Sequence, residues 1–331
     1  MKISIAELKA KMADLLNKKG YGREDTSFII DTYLGGELSG HTSHGLAGFA
    51  GFVNQDFSKL DDPEVIKETH SLFMIDAKSN SGNIVGRRAA EEAIIRAREE
   101  GIGIAVIKSM DQWLRPGAIA EYIANQNFVA VVTNSTRGAA VAPPGGYDPV
   151  VGTNPIAYSV PTNDGPLVVD MATSKRAWGQ VRLANKYGTD LPADSFYDDQ
   201  GNVTQDPKNV RSVIPFGDYK GFSLAMLIEI LCGSLVDMPM MVRSSAKNSF
   251  GGEHPNTSAI IMVIDPTQTT ELSEFKDANS EFIRKVKATR SRKNEEIRIP
   301  GEQAAHKKAA KLAEDIIDIP KELWEEIVDL K

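Results

Sequence analysis

Between residues 71 and 134 the apolar pattern changes period repeatedly, and that alternation narrows the fold more than any other feature of the chain. SLFMID (71–76), GIAVIK (103–108) and NFVAVVTN (127–134) are short apolar runs rich in β-branched residues. They predict strands. IVGRRAAEEAIIRAREEG (84–101) lies between the first two. It carries apolar residues at helical spacing and stops at a glycine, so it predicts an amphipathic helix. Strand, helix and strand in succession imply a sheet with helices laid against it, an α/β class. PIAYSVP (155–161) and GPLVVDM (165–171) add strands around the turn PTNDG, and SAIIMVID (258–265) adds a late one.

Helices flank this region. Ser4 and Glu7 form a capping box ahead of the stripe Ile5, Leu8, Met12, Leu15 and Leu16, and Gly20 stops the helix. A second helix is expected within 24–38, with Phe28, Ile29, Tyr33 and Leu34 apolar. GFSLAMLIEILCGSL (221–235) is apolar on nearly every side and predicts a buried helix. Helices close the chain at about 271–290, 302–315 and 320–330, where Pro320 suits a first turn. The expected organisation is a helical part, 1–70, packed with the closing helices 271–331, and an α/β part, 71–270.

Composition excludes several functions. The 331 residues are 41% hydrophobic and 25% charged, an ordinary globular balance. A net charge of -7 argues against nucleic acid and against anionic membrane surfaces. The single cysteine, Cys232, precludes a disulfide within the chain and reads as core. The N-terminal MKISIAELKAKM lacks a signal peptide's apolar region, and no 18-residue apolar run is evident. A cytoplasmic enzyme or binding protein is expected.

Two of the five histidines fall in LSGHTSHGLAGFA (38–50). The stretch follows the second helix and reads as a Gly-rich turn that starts another. His41 and His44 as metal ligands would need a third, and His70, His254 and His306 lie far off in sequence. An imidazole near a mobile turn suits proton transfer, with Ser43 orienting the ring or binding substrate. A hydrogen-bonded loop histidine is the plainer alternative. Residues 134–155 form a long Pro- and Gly-punctuated loop of the kind that shapes binding sites, with exposed-type polar groups at Thr153 and Asn154. In DMATSKRAWGQ (170–180) a strand ends at Asp170 and a helix follows, whose first N–H groups suit a phosphate. GDYKGF (217–222) sets Lys220 at the mouth of the most apolar helix, as an anion partner or as a surface lysine. Neither G-x-G-x-x-G nor G-x-x-x-x-G-K-[ST] is present.

In order, TSHGL, NSTRGAAVAPPGG, GTNPIAYSVP, VVDMATS, DYKGF and IPGE resemble the type-2 malate/L-lactate dehydrogenases, from about residue 3 to 330. The resemblance implies a mixed-sheet, non-Rossmann nicotinamide-binding α/β fold with a helical N-terminal subdomain. It implies a homodimer with active sites drawn from both subunits. The histidine of the S-H-G motif, His44, is expected to donate a proton to the substrate carbonyl, with Ser43 beside it. NAD, with NADP as the alternative, would meet Ser135, Asp170, Met171, Ala172, Tyr219, Lys220, Pro300, Gly301 and Glu302. Thr153 would lie near substrate. WLRPG (113–117), FYDDQGNVTQDP (196–207) and EIRIPGE (296–302) resemble the branch that reduces 2-keto sugar acids such as 2,3-diketo-L-gulonate. Malate, lactate, sulfolactate and ureidoglycolate dehydrogenases, and a non-catalytic nucleotide-binding relative, are the alternatives.

Two departures from the family pattern bear on substrate. Gly48 stands where S-H-G-x-x-R would place a carboxylate-binding arginine. In MDQWLRPG, Asp111 and Gln112 replace an Asn-His pair, and Gln112 cannot carry a proton at neutral pH. Gln112 is expected to shape the substrate pocket, and Arg115 supplies a charge for substrate or a surface salt bridge.

Overall fold

A computed structural model of the chain describes residues 1–241, 257–293 and 295–330. His254 lies outside the described residues, and so does the side chain of Ser43. The chain divides into two compact units. The first contains Met1–Lys59, Val160–Val169 and Thr269–Lys331, and the second Leu60–Ser159 and Asp170–Gln268.

The first unit opens with β1 (Lys2–Ser4) and α1 (Ile5–Lys18). Ser4 Oγ accepts from the N–H groups of Ala6 and Glu7 at 3.2 and 3.4 Å, so the expected cap forms. Leu8, Met12, Leu15 and Leu16 are fully buried, as their spacing requires. α2 (Arg23–Leu38) and α3 (Leu46–Val53) follow, with the short 3-10 turn Thr42–His44 between them. The closing elements are α8 (Leu272–Lys287), α9 (Glu302–Glu314), β11 (Ile316–Asp318) and α10 (Lys321–Asp329). β11 pairs antiparallel with β1, so the two ends of the sequence share a two-stranded sheet.

The main sheet has seven strands: β2 (Glu64–Glu68), β3 (Leu72–Asp76), β4 (Ile102–Met110), β5 (Val129–Asn134), β6 (Ile156–Val160), β7 (Leu167–Met171) and β10 (Thr257–Ile264). The order is β2-β3-β4-β10-β5-β6-β7. β3 and β4 are parallel, and β10 is antiparallel to both β4 and β5, so the sheet is mixed. β10 lies between β4 and β5, which therefore run in the same direction. α4 (Gly82–Glu100) links β3 to β4. Gly103 in β4 is needed there, because a Cβ would stand 1.9 Å from the carbonyl oxygen of Ala93 in α4. β8 (Phe196–Tyr197) and β9 (Ser212–Val213) form a third small sheet.

Three expectations are corrected. No helix begins at Asp170: α6 runs over Gly179–Tyr187, and residues 172–178 are irregular. Asn154 is fully buried rather than exposed. α7 (Tyr219–Cys232) is not buried all round. Gly221, Ala225, Ile228, Glu229 and Cys232 face inward, while Met226, Leu227 and Ile230 are about half exposed. Among the described residues, Tyr219–Val236 is long and apolar enough by length and composition to cross a membrane, and 39% of that window is buried. Sequence periodicity alone missed it because Lys220 and Glu229 interrupt the run.

Candidate active site

The register of the main sheet decides what meets. Met110 pairs with Thr257, Asn134 with Ala259 and Ile156 with Thr133, so β4 and β5 end, and β6 begins, at one edge. Open α/β sheets place ligands outside such carboxyl ends. Residues 111–115, 135–137 and 153–155 all emerge there. Trp113, 1% exposed, donates its indole N–H to Asn134 Oδ1 at 2.9 Å, and Arg137 donates to Asp111 Oδ1. Gly82 and Gly86 of α4 make room for this segment: Cβ atoms there would strike the Asp111 carbonyl and the Trp113 ring. Backbone strain collects along the same edge. Lys78, Ser79, Ser109, Leu114 and Asn154 all have positive φ, an arrangement that concentrates at functional sites.

The GTNP loop is pinned from both sides. Thr136 N–H donates to Asn154 Oδ1 at 3.3 Å, and Thr153 N–H donates to Thr136 Oγ1 at 3.1 Å. Asn154 Nδ2 donates to Glu229 Oε2 at 2.7 Å and to the Ala225 carbonyl at 3.1 Å. Glu229 is 4% exposed, and its Oε1 takes the Met241 N–H at 2.6 Å. Thr173 donates through N–H and Oγ1 to the Thr153 carbonyl. Ser135 Oγ accepts from Ser258 N–H at 3.1 Å. Cys232 is buried beside β5, and burial pushes its thiol up to about 12, which suits core rather than nucleophile.

The segments expected to hold cofactor adjoin in the second unit. Phe216 N–H donates to the Thr173 carbonyl at 3.1 Å, and a Cβ on Gly221 would lie 2.5 Å from that same oxygen. The start of α7 therefore packs directly against the end of the 170–173 stretch. Asp170 accepts from Gly117 N–H at 3.2 Å and lies 3.6 Å from Arg115 Nε. Lys220 is exposed, Tyr219 is 61% exposed and Met171 39%. An exposed ammonium next to Tyr219 in sequence suits the phosphates and ring faces of a dinucleotide, so these residues fit the group. In the first unit, Gly301 has φ +81°, and a Cβ there would sit 2.0 Å from the Val168 carbonyl. The turn Pro300–Gly301–Glu302 thus lies against β7, two residues upstream of Asp170. Glu302 pairs with Lys287 and accepts from Ile299 N–H, and the Lys287 contact holds its carboxyl below the usual range.

His44 closes its 3-10 turn, with its N–H donating to the His41 carbonyl at 2.9 Å, and it is partly exposed. Beneath the turn lies Glu37, 5% exposed, whose Oε2 accepts from Leu46 N–H at 3.0 Å. A Cβ on Gly45 would stand 2.2 Å from that oxygen, which explains the glycine of the S-H-G motif. Sequence reasoning missed Glu37, Glu229 and the Asp111–Arg137 pair. Only Glu229 left a signal, as the lone carboxylate within the apolar run LAMLIEILC.

Burial pushes the Glu37 carboxyl above its ordinary value, opposed by the Leu46 N–H and by Lys311. A carboxyl raised on folding subtracts from stability above its unfolded pKa, and the loss fades as pH falls through the folded value. Glu37→Gln keeps an acceptor for Leu46 and removes the charge. It is expected to melt above the wild type at about pH 8, with the gap narrowing towards about pH 4. A gap of equal size across that range in thermal unfolding would show that the charge is not the cause.

The malate/L-lactate dehydrogenase family model matches residues 3–328. Malate/(S)-sulfolactate dehydrogenase of Methanothermus fervidus is 30% identical, over 100% of this chain and 97% of that protein. The 2,3-diketo-L-gulonate reductase of Escherichia coli is 27% identical, over 92% of each. The solved sulfolactate dehydrogenase of Methanocaldococcus jannaschii superposes with a TM-score of 0.86 at 27% identity, covering 100% of this chain and 96% of that one. The class is an α/β oxidoreductase acting on CH–OH groups. The chain belongs to the malate/L-lactate dehydrogenase family. Dehydrogenases of this family generally use nicotinamide cofactors.

Proposed function

We propose that the protein reduces a 2-keto acid of the sugar-acid type, resembling 2,3-diketo-L-gulonate, to the 2-hydroxy acid with NADH. The observation that carries the reading is the sheet edge where Gln112 follows β4, Ser135 follows β5 and Thr153 precedes β6, with β10 between β4 and β5. A nicotinamide held by the cofactor-binding residues would supply the hydride for the carbonyl carbon. His44 gives its imidazolium proton to the carbonyl oxygen and recovers one from solvent, so the alkoxide never accumulates. Ser43 assists the imidazole. Thr153, Gln112 and Arg115 face the substrate. Ser135, Asp170, Met171, Ala172, Tyr219, Lys220 and the 300–302 turn hold the cofactor. NAD is the expected form, with NADP as the competing one in the assay. The setting is the cytoplasm.

A second reading is oxidation of malate or sulfolactate, favoured by the 30% identity to the Methanothermus enzyme. One experiment separates them. NADH absorbance is followed with 2,3-diketo-L-gulonate, pyruvate, oxaloacetate and sulfopyruvate. Preference for diketogulonate supports the first reading, preference for oxaloacetate or sulfopyruvate the second, and no turnover with any of them sinks both.

The apolar face of α7 supports a homodimer with active sites drawn from both copies. Met226, Leu227 and Ile230 form a stripe, and apolar area of this kind on a surface marks an interface. Leu227→Glu combined with Ile230→Glu is expected to convert a dimer to a monomer in light scattering. A chain already monomeric at micromolar concentration would refute the dimer.

A further inference from the structure

Two arginines at the sheet edge have a buried Nε with no hydrogen-bond acceptor among the described residues, Arg115 and Arg137. Their settings differ. The Arg115 side chain is 13% exposed and lies against Asp170. The Arg137 side chain is 32% exposed, and Asp111 takes only its Nη2. Asp111 is itself buried and holds the guanidinium from one side. A guanidinium carries five N–H groups in one plane, so most of this fork remains for another acceptor. A buried N–H without a partner costs free energy that an arriving oxygen recovers.

The neighbours say which oxygen. Asp111 directly precedes Gln112. Arg137 directly follows Thr136, whose N–H and hydroxyl hold Asn154 and Thr153. Arg137 therefore stands between the two segments that carry the substrate residues. Position 48, four residues past His44, is glycine and offers no charge. We propose that Arg137, oriented by Asp111, binds the carboxylate of the 2-keto acid and sets the requirement for an acid. The planar fork matches a carboxylate in bidentate fashion, which a lysine cannot reproduce. The assignment rests on the keto-acid reductase reading above.

The test uses the full-length protein with NADH, the keto acid turned over fastest, and its amide. Arg137→Met is expected to raise KM for the acid by roughly 10- to 150-fold, the range of one charged hydrogen-bond contact. Turnover at saturation stays within a few-fold, NADH affinity by fluorescence is unchanged, and the preference for acid over amide collapses. Unaltered KM and preference overturn the proposal. If Arg137→Met does not fold, Arg137→Lys decides in the same way, since it keeps the charge and loses the fork. If the wild type turns over no keto acid, the reductase reading fails, and the anchor is judged by calorimetry with oxamate in the presence of NADH. Oxamate binding that Arg137→Met or Arg137→Lys abolishes supports the anchor. Absent binding to the wild type, or binding that either variant leaves unchanged, overturns it.

Discussion

Exchanging His44 for asparagine is expected to lower kcat for keto-acid reduction by roughly 10²- to 10⁴-fold, the usual worth of general acid catalysis. Asparagine still donates a hydrogen bond to the carbonyl oxygen, yet it cannot release a proton to it. The variant should therefore bind substrate and lose turnover. The pH profile carries the sharper readout. If His44 is the donor, the wild-type rate is expected to fall on the alkaline side, and in the variant that limb should flatten. The backbone donors of the turn keep their partners in the variant: His44 N–H donates to the His41 carbonyl, and Leu46 N–H donates to the carboxylate of buried Glu37. A variant with full turnover and an unchanged alkaline limb would remove His44 from the mechanism.

Glu229→Ala is the second large expectation, and it acts on stability. Glu229 accepts from Asn154 Nδ2 and from Met241 N–H inside the second unit. Removing it leaves the Met241 N–H, and one of Asn154's two recorded donor contacts, without an acceptor, at roughly 1–3 kcal/mol for each. Asn154 also sits at φ +23°, a backbone conformation that persists only when its surroundings impose it. The combined loss should appear as a markedly lower Tm, with weaker substrate binding because Thr153 shares the same loop. Glu229→Gln keeps an oxygen acceptor and should lose much less. Equal Tm values for Glu229→Ala and the wild type would contradict this account. A similar loss from both variants would point to the negative charge rather than the acceptor.

The elements with one strong local period were readable from the sequence. The stripe of α1, the glycine stop after α4 and the β-branched runs of β4, β5 and β10 are carried by neighbours two to four residues apart. Not every element was. α5 (Pro116–Ala124) reads AIAEYIA over 118–124, apolar on most sides, so no polar stripe marks it, and β1 finds its partner only at residues 316–318. α7 shows the limit from the other direction. Its composition marks an apolar helix, and composition cannot say which half of that apolar surface its own chain covers. The absence of a helix after Asp170 has the same character, since DMATSKRAWGQ holds no residue that forbids one.

The candidate site divides along the same line. The chain's own text singled out the S-H-G turn, the GTNP loop, the 170–172 stretch and Lys220, because glycines, prolines and isolated charges punctuate a sequence wherever they stand. Departures at Gly48 and Gln112 are equally visible in the text. Which side chains meet is a different matter. Asp111 and Arg137 are 26 residues apart and come together because β10, more than a hundred residues later, inserts between β4 and β5 and aligns their ends. Glu229 reaches Asn154 across 75 residues because α7 packs against β5 and β10. Local spacing determined the α/β class and the motif positions, and the resemblance carried by those motifs pointed to the family. Strand register, which depends on contacts remote in sequence, decided that Arg137 meets Asp111, and helix packing decided that Glu37 and Glu229 are buried.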